Sequence, residues 1–378
     1  MCAKIRKLVI AATSLVLFLT VSPGKAEDNL SGRELLRAVR DSSPTHGEKL
    51  PTVTELLDKY AETQDKLKSF VITNETTMKG ATNHPITPSA LKGKIRYSVS
   101  SSEFCYDGNR MSTRLHRWLN LTSLPDKPLS KGHSSYNYNR YLWDGKFAWS
   151  YTAGAGDHIG RVSINTGPDA KKELTIALSY EADMMGYFSG DSERIDRILR
   201  QSNGVSVRPQ TERVGEWECY VIDADTKHGR YTLWIDPAHG YNVAGADVQK
   251  KESDLAYGKR MEAGMHGSSC YRVVRFGQAE GVWLPMEMEL HGELKWGGGF
   301  FSRGKSHVKR TSVTLSPDRD ALGSFVVDDV PNGAQVRIVG VESKYTWQDG
   351  QVVNEKGNKV DLHKVRAESQ KSRVKRPK

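Results

Sequence analysis

Residues 52–77 read TVTELLDKYAETQDKLKSFVITNETT, and the spacing of their apolar positions changes midway. Up to Leu67 it is helical. Val53, Leu56, Leu57, Tyr60, Ala61 and Leu67 recur on one side, and Glu55, Asp58, Lys59, Glu62, Asp65 and Lys66 take the other. Thr52 and Glu55 have capping-box spacing, which starts the helix at Thr52. From Phe70 the period is two, and residues 70–77 read as a strand. One amphipathic helix running straight into a strand predicts a helix laid on a sheet.

Downstream the period-two pattern persists. Residues 94–106 and 110–118 flank Asp107-Gly108-Asn109, and residues 138–143 and 146–151 flank Asp144-Gly145. An Asp-Gly between such runs predicts a hairpin with a primed turn. A helical insertion follows, from Pro168 through Tyr180 towards Met184, Met185, Tyr187 and Phe188. A second short helix carries Ile195, Ile198 and Leu199, with Asp191 as its cap. Sheet then resumes over residues 217–224, 230–235, 241–249, 268–276, 282–293 and 307–315, giving about ten or eleven strands. The fold class predicted is α+β, with successive antiparallel strands and helices packed on one face. Residues 321–354 add a hairpin appendix, and a disordered basic tail is expected from 355 to 378.

Upstream, Lys4, Arg6 and Lys7 precede an apolar run from Leu8 to Val21, and Gly24-Lys25-Ala26 follows. This is the layout of a secretory signal peptide over 1–26, cleaved near Ala26. The run is shorter than the roughly 20 residues that span a bilayer. Residues 27–51 form a polar leader. A periplasmic or secreted location is expected.

Charge supports this reading. The chain carries a formal +10, but the signal peptide and the last fifteen residues account for it, and residues 27–363 are close to neutral. A nucleic-acid-binding body should itself be basic, so no nucleic acid partner is expected. The 364–378 tail is expected to make at most a weak contact with anionic surfaces. Three cysteines follow the signal peptide, and Cys219 with Cys270 is the preferred disulfide pair.

No catalytic constellation stands out. There is no G-x-S-x-G and no H-E-x-x-H. Gly267-Ser268-Ser269-Cys270 reads as a turn entering a strand. Asp225, His228 and His239 have the composition of hairpin turns rather than of a metal site. Glu287, Glu289 and Glu293 alternate with Met286, Met288 and Leu290 as a half-buried strand does. Trp296-Gly-Gly-Gly-Phe300-Phe301 lacks the end of a phosphate loop and reads as an aromatic-flanked loop packed back on the sheet. No metal, cofactor or catalytic residue is assigned.

The pattern resembles the periplasmic lipoprotein-sorting carriers of the LolA/LolB type and the related sensor RseB. The resemblance rests on the signal peptide, on Leu56-Leu57-Asp58-Lys59-Tyr60 running into Lys66-Leu67-Lys68-Ser69-Phe70, and on the meander after it. It rests also on residues 231–236 (YTLWID) with Pro237 and Gly240, and on residues 281–285 (GVWLP). It covers residues 52–316. The chain is longer than a minimal carrier, and the appendix and tail have no counterpart. Residues 347–350 (WQDG) are similar to large exported families of planctomycete-type bacteria.

What the resemblance implies is a large curved antiparallel sheet, an incomplete barrel with helices on its concave face, enclosing an apolar cavity for lipid or lipoprotein acyl chains in a non-enzymatic protein. Methionine and aromatic side chains suit such a lining. The candidates are Leu57, Tyr60, Trp143, Trp149, Met184, Met185, Phe188, Trp234, Met286 and Met288. Two other readings stand beside it. One is an envelope sensor or scaffold with a protein partner, and the other a hydrolase whose site assembles from distant residues.

Overall fold

The structure, a computed structural model, describes residues 50–156, 159–167, 170, 183–318, 325–365 and 367. The expected signal peptide, all but the last two residues of the polar leader, most of the helical insertion and half of the expected basic tail lie outside the described residues.

Helix α1 (Val53–Gln64) starts at Thr52 with the expected capping box: the Thr52 hydroxyl accepts from Glu55 N–H at 3.2 Å, and the Thr52 N–H donates to the Glu55 carboxylate at 2.6 Å. Losing this cap in Thr52→Ala is expected to cost about 1 kcal/mol. Urea denaturation would measure it, and a cost near zero would show that packing alone fixes the helix start.

β1 (Phe70–Thr82) follows and stands at the middle of the sheet. One of its edges leads through β2 (Arg96–Tyr106), β3 (Met111–Leu121), β4 (Tyr136–Trp143), β5 (Ala148–Gly154) and β6 (Arg161–Asn165), each antiparallel to the last. Beyond β6 come β7 (Gly204–Val207), β8 (Glu212–Val214), β9 (Trp217–Thr226), β10 (Gly229–Asp236) and β11 (Asn242–Lys250) in chain order. A minor ribbon, β12 (Leu255–Ala256) with β13 (Lys259–Arg260), precedes β14 (His266–Ala279), β15 (Val282–Lys295) and β16 (Phe301–Leu315). β16 pairs with the second edge of β1, and the sheet continues through β15, β14, β11 and β10 to β9, whose far side takes β7 and β8. The last strands, β17 (Gln335–Ile338), β18 (Tyr345–Gln348) and β19 (Gln351–Asn354), extend the other end, because β17 pairs parallel with β6.

Among the described residues the result is one seventeen-stranded sheet, antiparallel but for that pair, whose two ends do not meet. This is the incomplete-barrel α+β architecture. Strands ahead of the appendix are more numerous than the ten or eleven expected, because β6, β7, β8, β12 and β13 are too short to show a period. The appendix joins the same sheet, so no separate unit is formed. Order also continues past Glu355: Val360 and Leu362 pack on the appendix core, and the His363 ring lies 5.0 Å from Phe147.

The turns follow their chemistry. In both Asp-Gly hairpins the glycine takes the first central position with positive φ, 82° at Gly108 and 96° at Gly145, as in a type II′ turn. The preceding aspartates accept from two backbone N–H groups each, at 3.1 and 2.6 Å for Asp107 and at 2.7 Å twice for Asp144. β14 and β15 meet at Glu280-Gly281, both with positive φ, so the turn is tighter than the Gly277–Gly281 turn expected. Gly281→Ala is expected to cost about 1 kcal/mol through its φ of 76°, since the added methyl meets nothing within 4 Å. A change in thermal midpoint would report it, and no change would mean the hairpin relaxes into another turn.

Alternation sorts the strands into two faces. The inner face carries Phe70, Ile72, Asn74, Thr76 and Met78 of β1. Cross-strand register continues that face through Ser306, Leu290, Tyr271, Ala246, Leu233 and Ile222. There α1 and the short helix α2 (Ile195–Arg200) cover it, packing Leu56, Leu57, Tyr60, Ile195, Ile198 and Leu199 on the sheet. α2 starts at Arg194, and Asp191 does not cap it. Asp191 instead lies buried against Lys250, whose amine donates to it at 2.7 Å.

Candidate functional site

The inner face of β1–β5, on the side away from α1, is the candidate site. Its lower rows are apolar. Phe70, Ile72, Phe104, Met111 and Ala148 form one cluster with Met184 and Leu284, and Tyr106, Tyr141, Trp143, Met185, Val282 and Met286 pack against it. Its upper rows are polar. By register Asn74, Thr76, Ser100 and Ser102 face Leu115 and Arg117 on β3, then Asn137 and Asn139 on β4. Asn74, Thr76, Ser102, Arg117 and Asn139 are all buried.

Among the described residues of β2–β4, four donors on this face are buried and without a hydrogen-bond partner: the Trp143 indole N–H, the Thr113 hydroxyl, Nη1 of Arg117 and Nε of Arg96. Trp143 stands opposite Met111, two residues before Thr113, and Arg117 stands opposite Ser100. At ~3.3 Å per residue the row extends over roughly 20 Å of β3. Native interiors pair the great majority of buried polar atoms, so each of these donors calls for a partner. Burial also raises the Tyr141 phenol, and the Arg117 charge pulls the other way.

At the edge of this face Arg310 reaches Asp183 at 3.3 Å and donates to the Pro285 carbonyl. Burial raises the Asp183 carboxyl and Arg310 opposes the shift. Neutral phenols at Tyr60 and Tyr271 surround the pair, both pushed far up by burial.

The ten cavity candidates do not share one space. Trp143, Met184, Met185 and Met286 belong to the inner cluster of β1–β5. Leu57, Tyr60, Phe188 and Met288 lie in the core beneath α1 and α2. Trp149 and Trp234 face the other side. Trp149 packs edge-on to Trp347 of the appendix at 6.0 Å, and Trp234 donates to Glu212 at 2.9 Å under the Arg272 guanidinium. An aromatic's place in a strand does not tell which face is inner, and these two fell on the wrong parity.

The Cys219–Cys270 disulfide is not formed. Cys219 lies on β9 and Cys270 on β14, with β10 and β11 between them. Three strand spacings of ~4.8 Å separate them, well beyond disulfide reach. Burial pushes the Cys219 thiol up to about 12 and the Cys270 thiol up to about 11.

The remaining sequence candidates take structural roles. Glu287 pairs with His307 at 2.8 Å and Glu289 with Lys305 at 2.7 Å on the outer face. His239 binds Asp236 at 2.6 Å inside Trp217, Phe276 and Trp283, whereas His228 lies 3.8 Å from Asp191 and Asp225 3.6 Å from Arg230. Trp296 and Phe300 pack on the His84 ring at 4.8 and 6.4 Å, so the glycine loop folds back. Among the described residues no helix is long and apolar enough to cross a membrane.

No family model matches the sequence, and no curated protein matches it either. Among solved structures, the chain is similar to a DUF1329 family protein from Desulfovibrio piger at 11% identity, over 74% of this chain and 99% of that one, with a TM-score of 0.37. It is also similar to MucB, solved in complex with MucA, at 8% identity over 70% of this chain and 99% of that one, with a TM-score of 0.21. Neither likeness assigns a residue or an activity to this chain.

Proposed function

We propose that this protein is an exported, non-enzymatic binder or carrier of lipid or lipoprotein acyl chains, which lie on the inner face of β1–β5. One observation carries the reading: buried donors without partners stand in a row beside an apolar floor of Met111, Trp143, Met184 and Met286. Each such donor costs about 1–3 kcal/mol when buried unmade. An amphiphile would satisfy them while its chain covers the apolar rows. Among the described residues the donor row holds no carboxylate, and the raised carboxyl at the edge of this face, Asp183, is held by Arg310.

The test is uptake. Protein purified from membranes should carry lipid in native mass spectrometry, and delipidated protein should take up a fluorescent acyl probe. Trp143→Phe should weaken that uptake severalfold without unfolding the protein. Absence of both co-purified lipid and probe uptake would sink the reading.

A further inference from the structure

Three arginines are buried among the described residues, and two of them are compensated. Arg310 has Asp183 and the Pro285 carbonyl. Arg140 donates to Ser112 at 3.1 Å and to the Val326 carbonyl at 3.1 Å, with Asp329 at 3.9 Å. Arg117 is different. It is 7% exposed, its Nη1 meets no acceptor, and among the described residues no carboxylate pairs with it. Nη1 is the Arg117 nitrogen buried without an acceptor, an unmade buried N–H is unfavourable, and an anion set against it would supply the acceptor and balance the charge.

The surroundings suit an anionic head. Ser100 and Asn137 stand beside Arg117 in the register, and Ser102 and Asn139 lie one row below. Neither a serine nor an asparagine brings a competing charge, and each can donate to an oxyanion. A guanidinium binds a phosphate or a carboxylate through two parallel N–H groups, which fixes the head in place. The apolar rows begin one step further down, at Phe104 and Met111.

We propose that Arg117 is the head-group site of this face, and that the ligand is an anionic amphiphile whose phosphate or carboxylate it binds. This rests on the acyl-binding reading above and adds the charge of the ligand to it. The chain runs from Arg117 towards Trp143, and the head replaces the counter-ion that the protein itself does not supply.

Three probes with the same chain test it: dodecyl phosphate, dodecanoate and dodecanol, titrated calorimetrically into delipidated full-length protein. The wild type should bind at least one of the two anions about tenfold tighter than the alcohol, about 1.4 kcal/mol. Whichever anion is tighter identifies the head group as phosphate or carboxylate. Arg117→Gln should bring all three to parity at the alcohol's affinity, and Arg117→Lys should keep part of the preference. Equal affinity of the wild type for all three probes overturns the role of Arg117 and leaves acyl binding standing. Binding of none overturns both. A preference that survives in Arg117→Gln also overturns the assignment. Should that variant fail to fold, the wild-type ratio alone decides.

Discussion

Lys250→Met is expected to cost about 3–5 kcal/mol of stability at pH 8, and clearly less at pH 5. The Lys250 amine is almost fully out of water and uses its three protons on Asp191 at 2.7 Å, the His228 carbonyl at 2.7 Å and the Leu255 carbonyl at 2.8 Å. Asp191 also accepts from the Tyr231 hydroxyl at 2.9 Å. This node ties the segment beside α2 to β10, β11 and the β12–β13 ribbon. Taking the ammonium away leaves a carboxylate buried with one phenol for company, which is the costly way to break a buried pair.

The pH dependence follows from Asp191. Burial pushes its carboxyl up to about 6, and Lys250 holds it from rising further. A carboxyl raised above its ordinary ~3.9 stabilises the fold in its protonated form, present below that value and lost as pH rises through the folded value. Without Lys250 the carboxyl rises higher still. The variant's deficit should therefore widen above pH 6 and shrink where Asp191 is protonated. His228, whose pKa burial lowers, and Glu193 face the same node, so Asp191→Asn in the Lys250→Met background serves as the control. That double variant should lose most of the pH dependence and recover part of the stability. Urea titrations at both pH values decide it, and an equal loss at pH 5 and pH 8 would show that Asp191 is not the group responsible.

What could be read from the sequence was what short-range physics writes there. The capping box at Thr52 and Glu55 and the turns at Gly108 and Gly145 each depend on residues a few positions apart, and each formed as expected. The helix-to-strand change at Leu67–Phe70 placed the sheet. Long-range pairings left no such mark. β17 joins β6 across a sequence gap of about the whole second half, and nothing in Gln335–Ile338 points to Arg161–Asn165. Face assignment was the weakest step. In β3 the residues Arg114, His116 and Trp118 alternate with Leu115 and Arg117, and the presence of Trp118 makes the wrong set look like the core. Only the pairing shows that Arg117 points with Phe104 and Ser102. The polar rows at Ser98, Ser100 and Ser102 likewise read as a solvated face until the register turns them inward.

The same register yields a stability prediction that runs against the usual direction for a core substitution. Arg117→Met should raise the stability of ligand-free protein by about 1–3 kcal/mol, since methionine keeps the aliphatic stem's packing and removes a buried N–H that no acceptor meets. For a chain of this size that is several degrees in thermal midpoint. Ligand should reverse the order. At about a hundred times its dissociation constant an anionic amphiphile stabilises the wild type by about 2.7 kcal/mol through mass action, and the variant, having lost affinity, gains much less. Paired thermal melts with and without dodecyl phosphate or dodecanoate show whether the curves cross. A variant less stable than the wild type in the absence of ligand would mean that the guanidinium is held by the fold itself, and Arg117 would then be a core residue rather than a binding one. Curves that cross would mean that the chain carries a local cost at Arg117 which its ligand removes, as residues kept for binding rather than for stability do.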